Sequence, residues 1–197
     1  MIRLYRSESL LFLVIVVPAL CAAGCSAPRS THPYEPQTQA ARDTAKSQRL
    51  TQEAAAILSK DPIRAESLLR DALAADLWHG PAHNNLGVIY LKRGDLYAAA
   101  SEFEWARKLL PNHPDPRVNL AVTLEHAGRT DEALSTYASA LDVYPQYLPA
   151  VQALARLQVR CGRTDDRTAG MLREIALRGQ TEEWRAWAQA QALRSDR

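Results

Sequence analysis

From about residue 46 onward, apolar positions recur every three or four residues in stretches of about a dozen, separated by short polar turns, the pattern of amphipathic helices. In residues 80–113, Leu86, Ile89 and Tyr90 share one stripe of a first helix. Ala99, Phe103, Ala106 and Leu110 form the stripe of a second. Between them stands Lys92-Arg93-Gly94-Asp95, in which Gly94 suits the left-handed conformation that closes a helix. The small Ala99 and Ala106 let the two backbones approach closely, and Pro111 stops the second helix. Residues 114–147 repeat the arrangement with Leu120, Leu124, Gly128, Ala133, Tyr137, Ala140 and Pro145. Prolines 62, 81, 111, 114, 116, 145 and 149 all fall at expected helix boundaries, and none interrupts an apolar stripe.

The repetition has a period. Gly94, Gly128 and Gly162 are spaced by 34 residues, as are Leu86, Leu120 and Leu154. Aligning 80–113 with 114–147 gives eight identities, where unrelated segments would give roughly two. The pattern Leu86-Gly87, Tyr90, Gly94, Ala99, Phe103, Ala106, Pro111 resembles the tetratricopeptide repeat. The second unit departs by Ala121 for the second Gly, Leu124 for Tyr and Tyr137 for Phe, and the family's Trp near the repeat start is His83 and Arg117 here. The resemblance implies an all-α helix-turn-helix solenoid with two clear repeats, 80–113 and 114–147, flanked by degenerate ones at 46–79 and 148–181. In 46–79, Gln52 and Glu53 stand where Leu and Gly are usual, whereas Ala65, Leu69 and Ala72 keep the second helix in register and Pro62 suits its first position. In 148–181, Leu154, Ala155 and Gly162 are kept; Arg167 and Glu174 replace the small alanines, leaving Met171, Leu172 and Ile175 as the apolar face. A last helix within 182–197, capped by Thr181, has the stripe Trp184, Trp187 and Ala188 and a polar far side, as expected of the end of a solenoid.

The first 45 residues break this period. Arg3 and Arg6 precede the apolar run Leu10 to Leu20, and small residues lead to Cys25, the layout of a secretory signal peptide over 1–24. Ala22-Ala23-Gly24-Cys25 resembles the bacterial lipobox, although the family prefers Leu where Ala22 stands. The resemblance implies cleavage before Cys25, a diacylglyceryl chain on its sulfur, and a chain held at the membrane by its acyl groups. Leu10 to Cys25 is 16 residues with Pro18 inside, short of the ~17–25 needed to span a bilayer. Ser26 after the cysteine resembles the outer-membrane sorting pattern, which implies a periplasmic face of the outer membrane. Residues 25–45 read as a tether running into the first helix, with Pro28, Pro33 and Pro36 among polar residues. Cys21 leaves with the signal, so Cys161 is the remaining thiol, expected half-buried at a helix end.

Composition then limits the chemistry. At 47% hydrophobic residues the chain is that of a folded protein, and 24 basic against 22 acidic side chains give no electrostatic case for nucleic acid. Neither a Gly-rich phosphate loop, nor Gly-x-Ser-x-Gly, nor His-Glu-x-x-His occurs. His79 and His83 have metal spacing, but Gly80-Pro81 between them marks a helix start. Asp131-Glu132, Asp165-Asp166 and Glu182-Glu183 read as first-turn carboxylates favoured by the helix dipole. No catalytic, cofactor or metal residue is assigned, and no enzyme or small-molecule substrate is expected. The resemblance instead implies a groove lined by the first helix of each pair. Its ligand-facing positions are Asn84, Val88, Leu91 and Lys92; Val118, Val122, Glu125 and His126; and Gln152, Arg156, Val159 and Arg160. Lys92, Arg156 and Arg160 suit a partner protein segment with acidic residues. The expected role is a membrane-tethered adaptor at the bacterial envelope. A second possibility is an assembly factor of a pilus or secretion machine, by architectural resemblance to accessory lipoproteins that carry these repeats.

Overall fold

The computed structural model describes residues 42–195, which form helices joined by short turns, without a strand. The helices are α1 (Thr44–Ile57), α2 (Pro62–Ala75), α3 (Gly80–Arg93), α4 (Leu96–Leu109), α5 (Asp115–His126), α6 (Thr130–Val143), α7 (Leu148–Arg160), α8 (Asp166–Arg178) and α9 (Glu182–Ser195). The region of the expected signal peptide, Cys25 and most of the tether lies outside the described residues. Among the described residues no helix is long and apolar enough to cross a membrane.

Local chemistry explains the boundaries. Gly94, Gly128 and Gly162 have φ of 87°, 74° and 66°, the left-handed backbone that reverses the chain after α3, α5 and α7. The Asp43 and Asp61 side chains accept from the backbone N–H of Lys46 and Arg64, opening α1 and α2. Asp165 and Thr168 form a reciprocal capping box at α8. Asp131 and Glu132 stand in the first turn of α6, and Glu182 and Glu183 in that of α9. Trp184 N–H reaches the Thr181 hydroxyl at 3.3 Å, so Thr181 caps α9.

Consecutive helices pack as hairpins, and α3 also touches α1 and α5. The first helices α1, α3 and α5 therefore lie side by side in a row, which the ion pairs of Glu125 with Arg156 and Arg160 extend to α7. Small residues set the close approaches. A Cβ on Gly87 would stand 2.7 Å from the Phe103 ring, so α3 and α4 can pack at this distance because position 87 has no side chain.

The interior divides into two clusters. One unites Ala54, Ala65, Leu69, Ala72, Ala82, Leu86 and Ile89 from α1 to α3. The other runs from Ala99 and Phe103 through Leu120, Tyr137, Val151 and Leu172 to Ala188. The degenerate pairs pack with altered stripes. In α1 the buried residues are Ser47, Thr51 and Ala54, small enough to lie against α2, with the Thr51 hydroxyl donating to the Ser47 carbonyl at 2.8 Å. In α8, Thr168 joins the expected Met171, Leu172 and Ile175 inside. Cys161 departs from expectation. It sits at the end of α7 but is exposed, not half-buried, because the turn into Gly162 carries it past the apolar stripe.

Candidate functional site

The face of the first-helix row holds most of the expected ligand-facing residues. On α3, Asn84, Val88 and Leu91 are half-buried and Lys92 is exposed. On α5, Val118, Val122 and Glu125 are half-buried and His126 is exposed. On α7, Val159 is half-buried, and Arg156 and Arg160 are exposed. Val88, Leu91, Val118, Val122 and Val159 all rest on the large cluster below, so the row carries a partly exposed apolar strip. Asn119 donates to Asn84 at 3.0 Å, joining α5 to α3 across the repeat boundary. That engages Asn84 in holding the row together.

Gln152 does not belong to the surface. It is 5% exposed, and its Nε2 is buried without a hydrogen-bond partner. Contrary to the expectation that it faces a ligand, the residue lies beneath the groove surface. Neighbouring helices close over this position, which the register of α7 alone does not reveal.

The charges are also arranged differently from a simple basic groove. Glu125, whose side chain is 9% exposed, forms ion pairs through Oε1 with Arg160 at 2.9 Å and with Arg156 at 3.5 Å. Its Oε2 accepts from the Tyr137 hydroxyl at 3.1 Å. Burial, and then the Glu125 carboxylate, raise the Tyr137 pKa, so the phenol stays a donor. Glu125 is thus the shared counter-ion of two guanidinium groups. Lys92 stands apart, on a cavity of about 290 Å³ lined also by Leu58, Pro62, Ile63 and Ile89 at the α1–α2 turn.

Sequence reasoning left out the far wall. Trp184 and Trp187 of α9, in edge-to-face contact at 5.4 Å, line a cavity of about 350 Å³ with Glu183 and with Arg156 of α7. This brings the tryptophans of α9 to the same cavity as Arg156 of α7. The signal was visible as the apolar stripe of the last helix, but a stripe does not say which neighbour it meets. Near the α2–α3 turn, His83 is buried, with Nδ1 at 2.6 Å from Glu102 and Nε2 at 2.8 Å from the Leu77 carbonyl. Its ring stacks on Trp105 at 5.7 Å. Both nitrogens are engaged, so His83 has none to offer a metal. Among the described residues no three His, Cys, Asp or Glu side chains cluster.

Comparison with known proteins agrees with this architecture. Family models described as tetratricopeptide repeat match residues 61–114 and 93–157. Tetratricopeptide repeat protein 8 of Caenorhabditis elegans is 39% identical over 77 residues, which are 39% of this chain and 14% of that protein. Among solved structures, the first repeat domain of Spaghetti (RPAP3), bound to the HSP90 peptide SRMEEVD, is similar with a TM-score of 0.58 and 15% identity, covering 62% of this chain and 98% of that one. MamA from Desulfovibrio magneticus RS-1 is similar with a TM-score of 0.57 and 19% identity, covering 65% and 72%. The O-GlcNAc transferase of Thermobaculum terrenum is similar with a TM-score of 0.60 and 22% identity over 70% of this chain, but only 26% of that enzyme. With the 34-residue period, the three left-handed glycines and the hairpin packing of consecutive helices, these matches show that residues 61–157 carry tetratricopeptide repeats and that the described residues fold as a tetratricopeptide-repeat solenoid.

Proposed function

We propose that the chain is a lipid-anchored adaptor that binds a segment of a partner protein along the first-helix row, at the periplasmic face of the bacterial outer membrane. The observation that carries the binding reading is the strip Val88, Leu91, Val118, Val122 and Val159, half-exposed on one continuous face. Apolar side chains held on rigid helices, flanked by fixed polar groups, suit an extended or helical peptide. The resemblance to a repeat domain solved with a bound HSP90 peptide supports the same use of the fold. Tethering would confine both partners to one surface and raise their effective concentration without added contacts. Two arms test the reading. Pull-down from an envelope extract should identify a partner whose recovery falls at least tenfold in Val88→Arg plus Val122→Arg, with helicity unchanged; equal recovery overturns the groove. Cys25→Ser should abolish acyl labelling and release the chain from membranes, and a variant that still fractionates with membranes at high salt refutes the lipid anchor.

A further inference from the structure

Arg156 and Arg160 are four residues apart on one face of α7 and converge on one carboxylate. Glu125 needs only one of these charges for neutrality, so the pair carries one positive charge in excess. Most of their N–H donors also remain unused, since a guanidinium has five in a rigid fork. Their side chains are 48% and 56% exposed, while the carboxylate they share is 9% exposed. The two guanidinium groups are thus drawn to one point of the groove before a ligand arrives, and arginine is the side chain suited to planar carboxylate recognition. Beside them, the cavity lined by Arg156, Glu183, Trp184 and Trp187 offers an aromatic wall. Tryptophan and arginine are the residues that dominate binding surfaces. Glu183 on the α9 side repels a carboxylate from that rim and leaves the α7 side as its place.

We propose that this end of the groove takes an acidic side chain of the bound segment on Arg156 and Arg160, with an adjacent bulky apolar side chain against Trp184 and Trp187. The inference rests on the groove-binding reading above and adds to it the chemistry of the partner: an internal acidic residue next to an aromatic or large aliphatic one. Glu125 is then a positioning residue, holding the forks from behind.

The test uses the full chain and acetylated, amidated hexapeptides with a central Phe-Asp, Phe-Asn, Ala-Asp or Phe-Lys pair. Indole N–H resonances report binding, with Trp78 and Trp105 as internal controls. Phe-Asp should shift Trp184 and Trp187 alone and bind about tenfold tighter than Phe-Asn, the scale of a charge-assisted hydrogen bond. Ala-Asp and Phe-Lys should both bind more weakly. Arg156→Gln plus Arg160→Gln would strand the buried Glu125 and weaken folding, so the decisive variant adds Glu125→Gln. In that triple variant the preference for Asp over Asn should vanish while Phe-Asn binding persists. Equal affinities for Asp and Asn in the natural chain, or a preference that survives in the triple variant, overturns the inference and leaves the groove reading standing. If no peptide shifts Trp184 or Trp187, the inference fails; the groove reading fails with it only if Val88→Arg plus Val122→Arg also leaves partner recovery unchanged.

Discussion

The two ends of the described solenoid are closed by opposite chemistry. At the N-terminal end, Arg42 grips Asp76 through two hydrogen bonds of 2.8 and 3.0 Å, and the Thr44 hydroxyl and Trp78 N–H donate to the same carboxylate. Asp76 is 1% exposed and has four donors around it. Burial would raise its pKa, but the hydrogen bonds from Arg42, Trp78 and Thr44 outweigh this and hold it below the ordinary aspartate range. At the C-terminal end, α9 lays Ala188, Trp184 and Trp187 on the large apolar cluster. A repeat array must cover both of its open faces. Here one end is fastened by a saturated ion pair over a small cluster and the other by aromatic area over a large one. The first fastening is directional and sensitive to pH, whereas the second depends on buried area.

Five experiments would break or sharpen that contrast. Phe103→Ala should have the largest effect, about 3–5 kcal/mol of lost stability on chemical unfolding. Because its ring lies against Gly87 of α3, hydrogen exchange should show lost protection on both sides of it. Loss confined to α5–α9 would mean the two clusters open independently. Asp76→Ala should follow at about 2–3 kcal/mol, since it removes charge-assisted hydrogen bonds from Arg42, Thr44 and the Trp78 N–H to a buried carboxylate, with exchange protection lost first in α1 and α2. The same pair gives a pH dependence with a definite sign. A depressed folded-state pKa means the unfolded chain binds more protons as pH falls, so this stabilisation is present at neutral pH and disappears below the ordinary aspartate range. The N-terminal helices should open in acid before α8 and α9, and Arg42→Ala should open them at a higher pH. An acid titration followed by exchange that shows α9 opening first would reverse the comparison. Trp184→Ala should cost about 1–2 kcal/mol, since the side chain is only half-buried, and the loss should not vary with salt. Gly94→Ala, at a left-handed turn between the two ends, should cost about 1 kcal/mol and affect both equally.

Much of the fold was legible because it is local and periodic. The stripes Ala65, Leu69, Ala72 and Ala99, Phe103, Ala106 are all fully buried, as helical spacing requires. The glycines at the 34-residue interval all adopt positive φ, and Asp61-Pro62 opens α2. The groove was legible as a set of positions, not as chemistry. Glu125 reads as a ligand-facing acid in the chain, but it is a counter-ion to residues 31 and 35 positions later. Gln152 occupies a surface position of the repeat and is buried. His83, in place of a family Trp, finds Glu102 and a backbone carbonyl 19 and 6 residues away. Each of these depends on how far one helix pair rises and turns against the next, which a 3.6-residue period cannot encode.

By itself the sequence determined the helices, their pairing, the 34-residue register and the small residues that permit close packing, because each follows from interactions within a few turns of the chain. Only the tertiary structure decided that Arg42 meets Asp76, that two arginines share Glu125, and that the last helix brings its tryptophans beside Arg156. These pairings depend on distances set by the stacking of successive pairs. Burial then turns an ordinary aspartate into a staple and an ordinary glutamate into a support, since outside water a charge persists only where its partners are already in place.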